Sequence, residues 1–230
     1  MPPGPGAAGQ PPQPGRDCPL CPRLAAMRAE NRVAWPDWHN APVPSWGPLD
    51  APLLILGMAP GLRGANRTGR PFTGDYAGRL LYGTLLKFGL AEGHYEERPD
   101  DGLRLTGCRI TNAVRCVPPA NLPEPAETRT CNRFLQGELG AMPRLKLVLA
   151  LGVLAHAALL RACGLPMSHK RFAHGAVHPL PGGLLLADSY HVSRYNTSTR
   201  RLTTEMFEAV VAEAVQRLDQ IAEGRERPGA

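Results

Sequence analysis

Apolar residues along this chain form two patterns: short uninterrupted runs, and longer stretches in which they recur every three or four positions. A short apolar run predicts a buried strand, and the three-to-four spacing predicts an amphipathic helix. The predicted strands cover residues 53–57, 108–114, 145–152 and 184–189. The predicted helices cover residues 22–33, 77–88, 125–139, 153–163 and 203–221. Because strands and helices alternate, we predict an α/β fold, a three-layer α/β/α sandwich with a central four-stranded, mostly parallel sheet.

The two ends of the chain lack these patterns. Residues 1–15 are mostly Pro, Gly, Gln and Ala, which bury too little apolar surface to offset the entropy lost on ordering. We therefore predict a disordered tail at 1–15, a single domain at 16–223 and a frayed tail at 224–230. Inside the domain, the stretch 91–107 is predicted to be a polar loop.

Charge and hydropathy narrow the range of partners. The net charge of +6 and the sequence pI of about 9.2 permit a nucleic-acid partner without requiring one. No apolar run approaches the roughly 20 residues of a membrane span, and no signal-peptide pattern opens the chain. We therefore expect a cytoplasmic protein that does not bind membranes, and we expect it to act as a monomer.

A glycine-rich and arginine-rich loop follows the first predicted strand. Four glycines lie between Gly61 and Gly74, together with three arginines, and the loop ends in Asp75. Glycines let backbone amides approach a ligand, and arginines favour an anionic partner. The loop has neither the Gly-Lys-Ser/Thr ending of a P-loop nor the dinucleotide spacing Gly-x-Gly-x-x-Gly. An ordinary nucleotide site is therefore not predicted.

A second polar loop follows the last predicted strand and carries His191, Arg194 and Asn196. Loops that leave the carboxyl ends of parallel strands are where open α/β sheets bind ligands. The two loops are therefore expected to face one site.

Together the two loops resemble a known family. The first reads Gly-x-Ala-Pro-Gly at 57–61 and Asn-Arg-Thr-Gly-Arg-Pro-Phe-Thr-Gly-Asp at 66–75, and the second reads His-Val-Ser-x-x-Asn-Thr at 191–197. This pair resembles the uracil-DNA glycosylase superfamily, and most closely its iron–sulfur-containing family 5, the B type. The resemblance spans roughly residues 18–218. It implies a monofunctional enzyme of base-excision repair that hydrolyses the N-glycosidic bond of uracil in DNA, and of other deaminated bases such as hypoxanthine.

The resemblance implies two catalytic residues. His191 matches the family histidine that donates a hydrogen bond to the departing uracil, although a lone histidine is more often structural. The best-known members carry a water-activating carboxylate where this chain has Ala59, a departure that family 5 shares. Asp75 closes the same loop and could stabilise the sugar cation or orient water. It could equally cap the helix predicted to follow it. Asp188 is a weaker candidate.

The resemblance also implies residues that hold the base. Phe72 matches the aromatic side chain that stacks on the extruded base. Asn112 matches the asparagine that pairs with a pyrimidine edge, for which an amide has both donor and acceptor. Met58, Ala59 and Gly61 complete the predicted substrate-binding set.

Contacts to DNA are expected from arginines on the two loops, although a single arginine is more often a solvated surface charge. The predicted DNA-binding residues are Arg63, Arg67, Arg70, Arg194, Asn196, Arg200 and Arg201. Because the target base must leave the duplex, a side chain is expected to fill the gap. Val192, Arg194 and Tyr195 are the candidates.

Four of the six cysteines form a candidate metal site. Cys18 and Cys21 form a C-x-x-C pair, and Cys116 and Cys131 supply two more thiols. Such a set can hold zinc or an iron–sulfur cluster, and spacing alone does not separate the two. The resemblance implies a [4Fe-4S] cluster, with zinc as the alternative. The other two, Cys108 and Cys163, are expected to be buried apolar residues.

Two other functions remain open at this stage. A non-catalytic nucleic-acid-binding module with a structural metal would keep the arginines but would not need Asp75 and His191. A redox protein would use the Cys18-x-x-Cys21 pair, but that pair precedes the predicted sheet by many residues, unlike a thioredoxin motif. The absence of lysine from the two site loops argues against a Schiff-base lyase step.

Overall fold

The computed structural model describes residues 10–225. Its strands, in chain order, are β1 (Leu53–Gly57), β2 (Ala91–Glu92), β3 (Arg104–Leu105), β4 (Cys108–Asn112), β5 (Leu147–Leu151), β6 (Val177–Pro179) and β7 (Leu185–Ser189). The helices are α1 (Pro22–Ala34), α2 (Ala65–Thr68), α3 (Tyr76–Lys87), α4 (Pro125–Gly140), α5 (Val153–Ala162), α6 (Arg194–Ser198) and α7 (Thr204–Ala222). The predicted alternation of strands and helices is confirmed.

The central sheet has the strand order β4-β1-β5-β7-β6. The first four strands are parallel, and β6 runs antiparallel to β7 at the edge. In the register, Gly57 pairs with Asn112 and Leu151 pairs with Ser189. The four parallel strands therefore end level with one another, and the loops that follow them leave from one edge of the sheet.

Helices cover both faces of the sheet, as the three-layer prediction requires. Leu53 and Ile55 of β1 belong to the core that includes α3 and α7, and Leu54 and Leu56 belong to the core that includes α4 and α5. All five residues of β1 are buried. A strand covered on both faces needs apolar residues at every position, which explains its uninterrupted apolar run.

The helix ends agree with the local sequence. The Asp75 carboxylate accepts a hydrogen bond from the Ala77 amide and caps α3, and the Thr203 side chain caps α7. Glu124 and Glu127 form a reciprocal capping box at the start of α4. Because Asp75 is both the last residue of the first loop and the cap of α3, the helix fixes its position.

The connections reverse direction between β1 and β5. The chain passes from β1 outward to β4 and then crosses back over β1 to reach β5. In open α/β sheets this reversal leaves a crevice outside the carboxyl ends of the strands, where ligands bind. The loops after β1 and β5 line such a crevice here.

The structure differs from the sequence prediction at the edge of the sheet, in the stretch 91–107 and at Cys163. The sheet has five strands rather than four, because β6 adds a short antiparallel edge strand that contains His178 and Pro179. The stretch 91–107, predicted to be a loop, contains the two-stranded antiparallel pair β2 and β3. Cys163 is exposed rather than buried, whereas Cys108 is buried as predicted. The unpredicted strands β2, β3 and β6 are only two or three residues long, which is too short to show a hydrophobic pattern.

The described residues stop short of both chain ends. Residues 1–9 and 226–230, which include most of both predicted tails, lie outside the described residues. In the described part, Gln13 lies against α4, donates from Nε2 to Glu138 Oε2 at 3.1 Å and accepts at Oε1 from Arg115. Contact with the domain therefore begins before residue 16. Within residues 10–225, none of the helices combines the length and apolar character needed to cross a bilayer.

Candidate active site

A cavity of about 740 Å³ lies at the carboxyl ends of the parallel strands. Its walls come from the loop after β1, from Asn112 at the end of β4, from the start of α5 and from the loop after β7. Phe72, Asp75, Asn112 and His191, which are far apart in sequence, all line it. The predicted base-binding residues Met58, Ala59 and Gly61 line it as well.

Phe72 is held in an unusual backbone conformation. Its φ is +52°, a left-handed value that a bulky residue adopts only when its surroundings impose it. The Tyr82 hydroxyl donates to the carbonyl of Pro71, and the Tyr95 hydroxyl donates to the carbonyl of Phe72 at 3.2 Å. The ring is nearly buried, and its centroid lies 6.1 Å from that of the His191 ring. The loop is therefore built to present this ring to the cavity.

Asn112 brings an unpaired acceptor to the cavity wall. It is 3 % exposed, and its Oδ1 has no hydrogen-bond partner among residues 10–225. A Cβ at Gly57 would lie 2.3 Å from that oxygen and 2.6 Å from Cζ of Phe72. Glycine at 57 is therefore required for both side chains to approach. Leaving a buried acceptor unpaired costs about 1–3 kcal/mol, which is explained when a ligand supplies the partner.

Asp75 points one carboxylate oxygen at its helix and the other at the glycines of its own loop. Oδ1 accepts from the Ala77 amide at 3.2 Å. A Cβ at Gly64 would lie 2.2 Å from Oδ2, and one at Gly61 would lie 2.8 Å from it. Burial raises the pKa of Asp75, although backbone hydrogen bonds oppose the shift. Capping and a site role are therefore compatible, because each uses a different oxygen.

His191 lies in the loop after β7 and is partly buried in the cavity wall. Burial lowers the pKa of His191 to about 4, so the ring is neutral at pH 7. Asn196 donates from Nδ2 to the carbonyl of His191 at 2.8 Å, while the Ser193 hydroxyl caps the short helix α6. Asn196 therefore fixes the His191 loop, and this hydrogen bond commits one end of the amide that was predicted to contact DNA.

Five of the six predicted DNA-binding arginines are exposed. Arg63, Arg194 and Arg201 line the cavity, and Arg67 and Arg200 lie outside it. Arg201 stacks over the ring of Tyr190 with 4.7 Å between its Cζ and the ring centroid.

The prediction that Arg70 contacts DNA must be corrected. It is 5 % exposed and forms a bidentate ion pair with Asp101, at 2.8 Å from Nη1 and 2.7 Å from Nη2. Burial alone would raise the pKa of Asp101, but hydrogen bonds from Arg70 and the backbone lower it to about 2. The Arg70 guanidinium also stacks on Trp46 at 4.8 Å. Its donors are committed inside the fold, so it holds the loop rather than a phosphate.

The three candidates for filling the vacated base position differ in the solvent exposure of their side chains. Val192 is fully buried in the core, so it cannot reach a duplex. Arg194 is exposed, and Tyr195 is 71 % exposed at the start of α6. Arg194 and Tyr195 are therefore the two candidates that the structure leaves.

Three further residues of the cavity wall were not predicted. Asn121 has φ +55° and lies in the loop before α4, while Phe172 and Tyr190 form an aromatic wall with centroids 6.2 Å apart. The position of Tyr190 directly before His191 was a usable signal. Asp188, the weaker carboxylate candidate, is fully buried and is not among the residues that line the cavity.

The four predicted metal-ligating cysteines come together away from the cavity. Cys18, Cys21, Cys116 and Cys131 line one small pocket between α1, α4 and the segment after β4. Burial raises the pKa of Cys21 to about 11 and that of Cys116 to about 12. The buried residue Arg28 donates from Nη1 to the Cys116 sulfur at 3.7 Å.

Comparisons with known proteins agree with this geometry. The family model described as the Uracil DNA glycosylase superfamily matches residues 44–215. A type-5 uracil-DNA glycosylase of Thermus thermophilus is 50% identical over 203 residues, which cover 86% of this chain and 92% of that protein. A type-5 enzyme of Mycobacterium bovis is 42% identical over 205 residues, covering 86% of this chain and 76% of that protein. A type-5 enzyme of Pyrobaculum aerophilum is 39% identical, covering 86% of this chain and 88% of that protein. This chain belongs to the type-5 uracil-DNA glycosylase family of the uracil-DNA glycosylase superfamily.

Proposed function

We propose that this protein is a monofunctional DNA glycosylase that hydrolyses the N-glycosidic bond of uracil in DNA and so initiates base-excision repair. The observation that carries the proposal is the convergence of Phe72, Asp75, Asn112 and His191 on one cavity at the carboxyl ends of the parallel strands. The names of the type-5 relatives support the same activity. No lysine is among the cavity-lining residues, within the part of the chain that the structure describes, which fits a direct hydrolysis.

The first step is capture of an extruded base. A uracil inside a duplex cannot reach this cavity, so it must rotate out of the stack. Its face stacks on Phe72, and its edge supplies the hydrogen-bond partner that Asn112 lacks. The volume of about 740 Å³ exceeds what a single pyrimidine needs, so the same cavity has room for a deaminated purine such as hypoxanthine.

His191 assists departure of the base. Bond cleavage leaves negative charge on the uracil oxygens, and a hydrogen bond placed where that charge develops stabilises the transition state. A neutral imidazole, held by burial at pH 7, donates one hydrogen bond without a proton having to be gained first. Asn196 holds the backbone of His191 and so orients the ring.

Asp75 acts on the sugar side of the bond. Departure of the base leaves positive charge on the deoxyribose, which a nearby carboxylate stabilises, and a carboxylate can also orient the attacking water. Gly61 and Gly64 leave the space beside Oδ2 that a side chain would otherwise fill. This role compensates for Ala59, which stands where the best-known relatives carry their carboxylate.

The exposed arginines of the two loops contact the DNA backbone. Arg63, Arg194 and Arg201 surround the cavity, where they can hold the phosphates that flank the extruded nucleotide. Tyr195 or Arg194 then fills the gap in the duplex.

The four-cysteine pocket fits a [4Fe-4S] cluster that is structural. Cys18, Cys21, Cys116 and Cys131 line one pocket, and four thiolates can hold either a cluster or tetrahedral zinc. The resemblance to the iron–sulfur-containing family 5 favours the cluster, with zinc as the alternative. A bound cluster would cross-link α1, α4 and the segment after β4.

The experiment is strand cleavage by alkali after incubation of the purified, iron-loaded protein with duplexes that contain one uracil or one hypoxanthine. We expect abasic sites from both, a strong loss in His191→Ala and Asp75→Asn, and full activity in the matched control His94→Ala, whose side chain is exposed and outside the cavity. The absence of product on both duplexes from iron-loaded protein would contradict the proposal. Unchanged duplex binding by the two site variants, without product from the wild type, would favour the non-catalytic module.

A further inference from the structure

A buried polar cluster lies behind the aromatic wall of the cavity and has no place in the chemistry described above. The Asp188 carboxylate is fully buried at the end of β7. His156 Nδ1 lies 2.8 Å from its Oδ1, and His178 Nε2 lies 3.2 Å from its Oδ2. The backbone amide of Ala173 donates to the same Oδ2 at 3.3 Å. Both carboxylate oxygens are therefore engaged.

His156 must donate from both ring nitrogens or share a proton with Asp188. Its Nδ1 faces a carboxylate, and its Nε2 lies 3.0 Å from the carbonyl of Lys170, which can only accept. A neutral imidazole has one N–H, so one extra proton must lie between His156 and Asp188. A buried pair of this kind is costly to break because it leaves an uncompensated charge. The cluster is therefore a strong anchor.

The spacing of these three side chains also resembles that of a metal site, since their ligand atoms all lie within 4.8 Å of one another. Hydrogen bonds already account for the arrangement, however. His156 bonds to Asp188 and Lys170, and Asp188 accepts from two further groups. The cluster is complete without a metal ion.

Hydrogen bonds from this cluster, the anchor, hold the segment between α5 and β6 on both sides of Phe172. His156 holds the carbonyl of Lys170, two residues before Phe172, and Asp188 holds the amide of Ala173, one residue after it. The ring of His156 also packs edge-on against Phe172, with centroids 5.7 Å apart. This segment has no helix or strand of its own around Phe172. Its position therefore depends on side chains rather than on a backbone ladder.

Phe172 and Tyr190 form the wall that this anchor supports. The amide of Tyr190 donates to His174 Nδ1 at 3.1 Å, and the His174 ring stacks on Tyr190 with centroids 4.8 Å apart. Phe172 and Tyr190 both line the cavity, as does Phe72 of the first loop. Displacing Phe172 would enlarge the cavity on the side that the predicted base-binding residues do not form.

We propose that His156 and Asp188 are positioning residues that fix Phe172 in the cavity wall, and that Phe172 sets the size of base the cavity accepts. This inference rests on the proposed glycosylase function. A tight wall holds a small pyrimidine in line with His191 and Asp75, whereas a displaced wall leaves that base loosely held. A purine fills more of the space and depends less on the wall.

The experiment compares kcat and KM on uracil and on hypoxanthine duplexes for wild type, Phe172→Ala and His156→Leu. The matched control is His169→Leu, an exposed histidine of the same segment. We expect both test variants to shift the ratio of kcat/KM for uracil to that for hypoxanthine about tenfold toward hypoxanthine, because a lost apolar pocket contact is worth that much discrimination. The control should keep the wild-type ratio.

Limited trypsin digestion adds a readout of the anchor itself. Lys170 and Arg171 are cleavage sites inside the anchored segment, so His156→Leu should be cut there faster than wild type, whereas Phe172→Ala keeps the polar anchor and should change less. A wild-type base ratio in both folded variants would overturn the inference while leaving the glycosylase function intact. If His156→Leu does not fold, the ratio in Phe172→Ala decides. A wild-type protein that excises neither base would instead contradict the proposed function.

Discussion

The strand-end cavity and the four-cysteine pocket both bring together side chains that can bind a ligand, but the two regions differ in how accessible those side chains are. In the cavity, Asn112 has an unpaired oxygen and His191 is kept neutral. In the pocket, the buried Cys131 and three partly buried cysteines converge on a small space beside apolar side chains such as Leu24 and Val114. The cavity is open and suits a ligand that exchanges with solvent, whereas the cysteine pocket is small and enclosed.

The difference shows how burial serves two purposes in one fold. Burial keeps His191 neutral, which is the state that its proposed role as a hydrogen-bond donor to the base requires. In the pocket, burial raises the pKa of Cys21 to about 11 and that of Cys116 to about 12, so the thiols keep their protons at pH 7 unless a cation replaces them. The cavity is preorganised by protein groups, whereas the four thiols of the pocket would be completed by the proposed cluster, which binds them as thiolates.

The two regions are nevertheless mechanically connected. The Val114 amide, two residues before Cys116, donates to the carbonyl of Met58 at 3.0 Å. Ala59 packs against the apolar cluster of Leu24, Val114 and Cys131, against which Cys21 and Cys116 also pack. The loop that carries the first site motif is therefore supported from behind by the cysteine pocket.

The largest expected effect comes from Cys131→Ala. Removing one of four thiols should abolish stable iron binding, measured as iron per chain and as the visible absorbance of the cluster. Because the pocket supports the loop at Met58 and Ala59, uracil excision should fall with iron content. Cys163→Ala, at an exposed cysteine outside the pocket, is the matched control and should keep both. Full iron content in Cys131→Ala would remove the assignment of that ligand.

The next effect is smaller and falls on the cavity alone. Asn112→Ala removes the amide that pairs with the base edge, and the loss of one such hydrogen-bonding group costs about 100- to 1000-fold in kcat. Iron content and thermal stability should stay near wild type, since Asn112 Oδ1 has no protein partner within the described chain. Asn132→Ala is the contrasting variant, because Asn132 Nδ2 bonds the carbonyl of Ala158 at 2.8 Å. It should lose stability rather than turnover, and the reverse pattern would contradict the division of roles.

The comparison also explains what the sequence could predict. Buried strands need continuous apolar runs, so the four parallel strands and the loops at their carboxyl ends were predictable from the hydrophobic pattern. Within those loops, Phe72, Asp75, Asn112 and His191 were predicted from the resemblance to the family. Arg70 was misassigned because its partner Asp101 lies 31 residues away, in a stretch predicted to be featureless. Phe172 was missed because its segment has no hydrophobic period. Its position depends on a cluster formed by residues from α5, β6 and β7.

A third prediction concerns pH and His191. The ordinary pKa of histidine is 6.5, and in the fold it is lowered to about 4. Between these values the unfolded chain binds a proton that the folded chain does not, so the free energy of unfolding falls as pH drops from 6.5 toward 4. The contribution is at most about 3 kcal/mol and is complete above pH 6.5.

Urea unfolding of wild type and His191→Asn at several pH values measures this contribution. The free energy of unfolding of the variant should fall less between pH 6.5 and pH 4.5 than that of the wild type, because the variant lacks the titrating ring. His94→Asn, at an exposed histidine, should follow the wild type. Parallel curves for wild type and His191→Asn would show that burial does not perturb this ring.

The smallest expected effect concerns Arg28, which contacts one of the proposed metal-ligating cysteines. Arg28 is 6 % exposed, donates to the Cys116 sulfur at 3.7 Å and to the Cys18 carbonyl at 2.8 Å, and forms no ion pair within residues 10–225. A buried cation that forms no ion pair is stabilised by a nearby anion, and four thiolates around the proposed metal centre would provide one. Arg28→Gln should therefore lose iron to a chelator about tenfold faster than wild type, since removing a side chain that bonds a metal ligand lowers metal affinity by about that factor.

Arg32→Gln is the matched control on the same helix, because Arg32 pairs with Asp17 at 2.6 Å and does not line the pocket. Equal rates of iron loss in the two variants would mean that Arg28 only ties down the amino-terminal segment. A faster loss in Arg28→Gln alone would show that its charge stabilises the occupied pocket.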